Sequence, residues 1–210
     1  MSLSTKQNTT SQTTYSVMEH FLTLQGEGHH TGRAAYFIRL GGCDVECWWC
    51  DVKESWDANA HKKYTTEEMV SWVIHSGVTF CVITGGEPAM YDLTSLTTRL
   101  HAAGIEIAIE TSGAYELKGH FDWICFSPKK FKNPVPSVYS QCHELKVVVL
   151  NEHDLEWAET HAAKVNENCL LFLQPEWDKR NVVLPLIIGY IKANPRWKIS
   201  LQTHKYLNIP

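Results

Sequence analysis

The chain has 210 residues, 44% of them hydrophobic and 20% charged, with a formal net charge of -4 at pH 7. This is enough to bury one sizeable core and excludes a disordered or fibrous chain. The mildly acidic balance gives no basic field for tracking phosphates, which argues against nucleic acid as a partner.

The first segment, residues 1–14 (MSLSTKQNTTSQTT), is polar and rich in Ser, Thr and Gln, and is expected to be an unstructured tail before a single domain over residues 15–210. No stretch reaches the roughly 20 apolar residues that span a bilayer, so no membrane segment and a cytoplasmic location are expected. From residue 15 onward, short β-rich runs alternate with helical patterns, as in βα units around a parallel sheet. Strands are predicted at 36–40, 79–83, 105–109, 122–126, 145–150, 170–173 and 198–201. Thr65 and Glu68 form a capping box for a helix whose buried stripe is Met69, Val70, Val73 and Ile74 and whose stop is Gly77. Asp92 caps the next helix, which runs to Gly104. Later helices follow Asp154 and Asn181, the last with Pro185 near its first turn.

Polar clusters follow the strands: the cysteine-rich loop after 36–40, Thr84-Gly85-Gly86-Glu87-Pro88, Glu110-Thr111-Ser112-Gly113, Ser127-Pro128-Lys129, Gln174-Pro175-Glu176 and Gln202-Thr203-His204. The carboxyl ends of parallel strands share one rim, so these clusters converge on one mouth. A closed eight-unit barrel takes about 250 residues, so this length suits roughly six units in an open, incomplete barrel.

Of the seven cysteines, Cys43, Cys47 and Cys50 crowd one loop opened by Gly41-Gly42. Four thiolates would close a metal site; three leave one position free for a chelating ligand. The competing reading is a Cys3His zinc site completed by a histidine such as His61. The other four, Cys81, Cys125, Cys142 and Cys169, lie mostly in apolar runs and read as buried filler. His29-His30 and the basic run 129–132 read as solvated loops.

The spacing CxxxCxxC with Trp49 before the last cysteine, followed by Gly85-Gly86-Glu87-Pro88, resembles the radical S-adenosylmethionine (SAM) superfamily. Within it the chain is similar to the 7-carboxy-7-deazaguanine synthase family, through Leu24-Gln25-Gly26-Glu27-Gly28, Phe37-Ile38-Arg39-Leu40, Ser127-Pro128-Lys129, Leu173-Gln174-Pro175 and the closing QTHKYLNIP. The resemblance implies an α/β fold, an incomplete (βα)6 TIM-like barrel. It further implies a [4Fe-4S] cluster on Cys43, Cys47 and Cys50. SAM would sit on Trp49, Cys50, Asp51, Gly86, Ser127, Pro128, Lys129, Gln174, Pro175, Glu176 and Trp177. A 6-carboxytetrahydropterin substrate would meet Leu24, Gln25, Gly26, Arg39, Thr84, His204 and the Pro210 carboxylate. Glu110 would bond either the adenosyl ribose or the substrate, and Trp48 would shield the cluster.

The implied partners are a flavodoxin-like electron donor and a second copy of the chain in a homodimer. The family also implies Mg2+ held partly by a Thr or Ser hydroxyl two residues after the last cysteine; here that residue is Val52, which has no oxygen to offer. Two rivals stand beside this reading: a glycyl-radical activating enzyme and a non-catalytic zinc module.

Overall fold

The computed structural model describes residues 13–210. The expected tail therefore lies outside the described residues up to residue 12. Its last two members belong to the fold: Thr14 opens a strand, and the Thr13 carbonyl accepts the Thr66 N–H at 3.2 Å.

Nine strands form one sheet: β1 (Thr14–Leu24), β2 (Ala34–Leu40), β3 (Lys63–Thr65), β4 (Phe80–Gly85), β5 (Glu106–Thr111), β6 (Trp123–Phe126), β7 (Glu144–Val149), β8 (Leu170–Pro175) and β9 (Trp197–Ile199). Their order is β3-β1-β2-β4-β5-β6-β7-β8-β9. From β2 to β9 the pairing is parallel and follows the chain, while β1 is antiparallel to β2 and β3 to β1. The two ends of this sheet are not hydrogen-bonded strand to strand among the described residues, so the cylinder is left open, an α/β incomplete barrel of the TIM type.

The two-residue period of the strands sorts the core. Ile38, Leu40, Cys81, Ile83, Ile107 and Ile109 pack together with helical residues such as Met69, Leu96 and Leu100, whereas Phe37, Phe80, Val82 and Ala108 form a separate cluster. Both faces of β4 are covered, which is why its run Phe80 to Ile83 is wholly apolar.

Six helices accompany the sheet: α1 (Thr66–Ser76), α2 (Thr94–Ala102), α3 (Pro136–Gln141), α4 (His153–Ala162), α5 (Arg180–Ala193) and α6 (Thr203–Leu207). The Thr65–Glu68 capping box closes α1 at its start, and Gly77, at φ 76°, ends it. Ile74 departs from the expected stripe: it is exposed, and Met69 and Val73 carry the burial. Asp92 caps α2 from one residue further out, accepting the Thr94 N–H at 3.0 Å. Asp154 lies inside α4 rather than before it; its carboxylate reaches back to the N–H groups of Leu150 and Asn151. Pro185 sits in the second turn of α5, because that helix begins at Arg180. No helix links β5 to β6 in the described chain; residues 112–122 cross as extended loop.

His161 on α4 is buried between Tyr139, whose OH lies 2.8 Å from Nδ1, and the edge of Trp157. Burial, with help from Lys164, pushes its pKa down to about 4. The unfolded chain therefore takes up this proton first as pH falls. Stability from this group is complete above about pH 6.5 and drops by about 3 kcal/mol on the way to pH 4. Urea unfolding across that window is expected to give a steeper pH slope for the wild type than for His161→Phe; equal slopes would refute the assignment.

Candidate active site

One cavity of about 250 Å³ opens at the carboxyl ends of the parallel strands. Its lining gathers the polar clusters that the strand-end argument placed on one rim: the cysteine loop after β2, Thr84 to Glu87 after β4, Glu110 to Ser112 after β5, Ser127 and Lys129 after β6, Gln174 to Trp177 after β8, and Gln202, His204 and Pro210 at the chain's last segment. Leu24, Gln25, Gly26 and Arg39 complete the wall. Of the residues expected to hold cluster, SAM or substrate, only Pro128 is not on the lining; it is buried between Ser127 and Lys129 in the chain.

The cysteine loop is held by backbone bonds, as a loop without regular structure must be. Gly42 N–H donates to Ser55 O at 2.6 Å, Cys43 N–H to Trp56 O at 3.1 Å, and Tyr91 OH to Gly41 O at 2.6 Å. Gly86 is pinned against this loop so closely that an added Cβ would lie 2.2 Å from the Gly42 carbonyl oxygen. Cys43, Cys47 and Cys50 all face the cavity, packed with Val45, Trp49 and Ala114. Burial pushes the Cys47 thiol up to about 11 and raises Cys43 as well, so binding a metal group there releases protons. The Val52 N–H already points at Cys50 Sγ, 3.4 Å away. Trp48 does not cover these thiols: it is 63% exposed, and Val45 and Ala114 take the shielding place expected of it.

Three cavity-facing thiols beside a glycine edge fit a cluster with one iron open to a chelating amino acid. They do not fit a zinc module. Among the described residues, no three of His, Cys, Asp and Glu come together closely enough to hold a single metal ion, and His61 bonds the Glu54 carbonyl at 2.8 Å.

The basic run is not a free solvated loop. Lys129 Nζ donates to Ser127 O and Oγ and stands 5.9 Å from the Trp49 ring, while burial lowers its pKa. Lys130 pairs with Asp154 and Lys132 with Asp44. His29 is exposed as expected, and its ring stacks on Trp123 at 4.7 Å; His30 is half-buried against Phe80 and Trp123.

On the opposite wall, His204 lies flat on Gly26, where a Cβ would come 2.2 Å from Nδ1. Arg39 Nε is buried without a hydrogen bond; Glu19 Oε1 is 3.1 Å away but misaligned. Arg39 is thus ion-paired with Glu19 through an imperfectly bonded Nε, and its guanidinium lines the cavity as the cation there on the β2 side. Asp51 Oδ2 is taken by Lys205 Nζ at 2.7 Å and Gln202 Nε2 at 3.2 Å.

Two cavity residues have no role of their own assigned from the sequence, although Glu87 belongs to the Gly85-Gly86-Glu87-Pro88 motif. Glu87, 1% exposed, accepts from Thr111 Oγ1, Ser112 N–H, Ser112 Oγ and Ala89 N–H, tying the end of β4 to that of β5. Lys146 is buried in β7 two residues after the equally buried Glu144, and a cation in an otherwise apolar strand signals a need for acidic partners. It has two, Glu27 Oε2 at 2.6 Å and Glu110 Oε2 at 2.7 Å.

Residues 37–132 match the family model of the Radical SAM superfamily. The 7-carboxy-7-deazaguanine synthase of Flavobacterium psychrophilum is 56% identical over 194 residues, covering 92% of each chain, and that of Synechocystis is 46% identical over 195 residues, covering 93% of each. The crystal structure of QueE from Escherichia coli superposes with a TM-score of 0.81 at 30% identity, covering 90% of this chain and 93% of that one. These relatives also retire the glycyl-radical activase and zinc-module readings. With its cluster loop and glycine edge at the mouth of an open barrel, the chain belongs to the 7-carboxy-7-deazaguanine synthase family of radical SAM enzymes.

Proposed function

We propose that the chain converts 6-carboxy-5,6,7,8-tetrahydropterin to 7-carboxy-7-deazaguanine and ammonia, a rearrangement and elimination with no net redox change. The observation that carries this reading is the division of one cavity: the three thiols and Gly86 on one wall, and Gln25, Gly26, Arg39 and His204 on the other. Cys43, Cys47 and Cys50 would hold the [4Fe-4S] cluster. Trp49, Asp51, Gly86, Ser127, Lys129 and the 174–177 segment would hold SAM. When bound, this pair supplies one-electron cleavage of SAM and hydrogen abstraction from the substrate, with the electron arriving from a flavodoxin-like donor.

The chain's own residues position and enclose. The Arg39 guanidinium, ion-paired to Glu19 and lining the cavity, suits the substrate carboxylate, and Leu24, Gln25, Gly26, Thr84, His204 and Pro210 flank the pterin. Glu110 is assigned to the substrate in this reading, a choice supported by its bond from Gln25 Nε2, a residue of the proposed substrate wall, at 3.2 Å. A homodimer belongs to this reading through the family resemblance.

The residues do not fit Mg2+. Val52 has no side-chain oxygen, and the adjacent carboxylate, Asp51, is already paired with Lys205. Anaerobic incubation of the reconstituted protein with the pterin, SAM and a reductant is expected to yield the 7-deazapurine, at a rate within about twofold with or without a chelator. Cofactor cleavage with no 7-deazapurine would overturn the reaction. Strong Mg2+ stimulation, abolished by chelator and unaffected by Val52→Thr, would overturn the metal reading.

A further inference from the structure

We infer that Lys146 is the positioning residue that fixes which pterin-like ring the site accepts, by holding Glu27 and Glu110 as a pair of acceptors aimed at the donor edge of a 2-amino-4-oxopyrimidine. This rests on the function proposed above and assigns a role to a residue outside it. The Lys146 side chain is 3% exposed, and its Nζ bonds one oxygen of each carboxylate, at 2.6 and 2.7 Å. The remaining oxygens are also placed. Glu110 Oε1 accepts from Gln25 Nε2 at 3.2 Å, and Glu27 Oε1 from Gln202 Nε2 at 3.0 Å. Gln25 Oε1 in turn accepts the Glu27 N–H at 3.1 Å, which fixes the orientation of the amide. One ammonium from β7 thus orders side chains from the β1–β2 loop, from β5 and from the segment before α6, and every one of them lines the cavity.

Glu27 and Glu110 share the one ammonium, and the buried Glu144 on the same strand as Lys146 adds to the negative side, so the acidic groups outnumber Lys146 here. Each carboxylate oxygen still has acceptor capacity, since a carboxylate offers about four lone-pair sites. Neutral ligands with paired N–H donors satisfy such a site, and the 2-amino group with the adjacent ring N–H is such a pair. An analogue with a 2-oxo group presents an acceptor to the same carboxylates and leaves them facing like polarity. Sites built around buried hydrogen-bonding groups reject such analogues by roughly 10⁴-fold.

The test is equilibrium binding of 6-carboxytetrahydropterin and of its 2-oxo analogue to the SAM-loaded holoenzyme, wild type and variants. Wild type is expected to prefer the 2-amino compound by about 10³-fold or more. Lys146→Met is expected to weaken the 2-amino compound by about 100-fold, as removal of one member of a buried charged set does, and to reduce the preference to under tenfold. Lys146→Arg restores most of the preference, and SAM affinity stays within threefold throughout. Should Lys146→Met fail to fold, Lys146→Arg and Glu110→Gln are compared instead. Retained preference in the arginine variant with collapse in the glutamine variant supports the role. Equal weakening of both ligands by Lys146→Met, or preference unchanged in Glu110→Gln, overturns it. Conversion of the pterin by wild type with no ring preference sinks the Lys146 inference alone; absence of pterin binding by wild type sinks both.

Discussion

Gly86→Ala is expected to lower SAM cleavage by about 100-fold or more while leaving the barrel folded. The new Cβ would stand 2.2 Å from the Gly42 oxygen and 2.7 Å from its carbonyl carbon, with Cys43 Cβ at 3.1 Å. The obstacle is backbone, so no side-chain rotation relieves it. Gly42 is itself clamped, since its N–H donates to Ser55 O at 2.6 Å and its carbonyl accepts the Glu87 N–H at 2.8 Å. Relief requires the glycine edge and the cysteine loop to separate by about 1 Å, and displacement of that size costs about 10²-fold in rate when reacting groups must meet. Release of 5′-deoxyadenosine, read beside iron content and circular dichroism, checks it. Gly104→Ala is the control, because nothing lies within 4 Å of its Cβ, although its φ of +75° makes it mildly strained. Cleavage by Gly86→Ala within threefold of wild type would refute the close-approach argument.

Glu87→Ala is expected to destabilise the protein by about 3–5 kcal/mol in denaturant unfolding. The carboxylate accepts from two backbone N–H groups and two hydroxyls, and all four donors are buried with it. Alanine leaves those donors without partner or water, and each buried orphan carries a desolvation penalty of about 1–3 kcal/mol. Glu87→Gln keeps one acceptor oxygen and turns an NH2 toward the remaining donors, so a smaller but clear loss is expected. A loss below about 1 kcal/mol for alanine would mean that water reaches these donors. The same substitution loosens the link between β4 and β5 at the rim, so activity falls along with stability.

Much of this architecture was readable from local chemistry. The parallel strands are apolar on both faces and carry polar clusters at their carboxyl ends, and the α1 boundaries follow from a cap and a glycine. β1 escaped because its alternation breaks at a bulge between Val17 and Glu19 and because it mixes His20 and Glu19 with apolar residues. α3 and α6 escaped because six and five residues carry too little period to register, and prolines at 134 and 136 read as loop. In the site, motif residues are legible because their backbone chemistry is local. Partnerships across the sheet are not. The spacing of Glu27, Glu110 and Lys146 in the chain says nothing of their meeting, which depends on the β1–β2 loop, β5 and β7 all reaching one cavity. Trp48 misled for a related reason: two adjacent tryptophans cannot both turn inward on a tight loop, and the sequence does not rank them.

The open side of the barrel carries a consequence for how the protein holds its ends together. Among the described residues no strand pairing closes it, and the stitches across the gap join positions far apart in the chain: Gln202 to Glu27, Thr203 to Gly26 and Ser200 to Gly28. A handful of hydrogen bonds thus closes a loop of some 175 residues, and lengthening such a loop adds only slowly to its entropic cost. The cavity lies on that seam. A ligand seated there acts as a clasp, so occupancy and integrity of the fold become thermodynamically one property, each strengthening the other in proportion to ligand concentration.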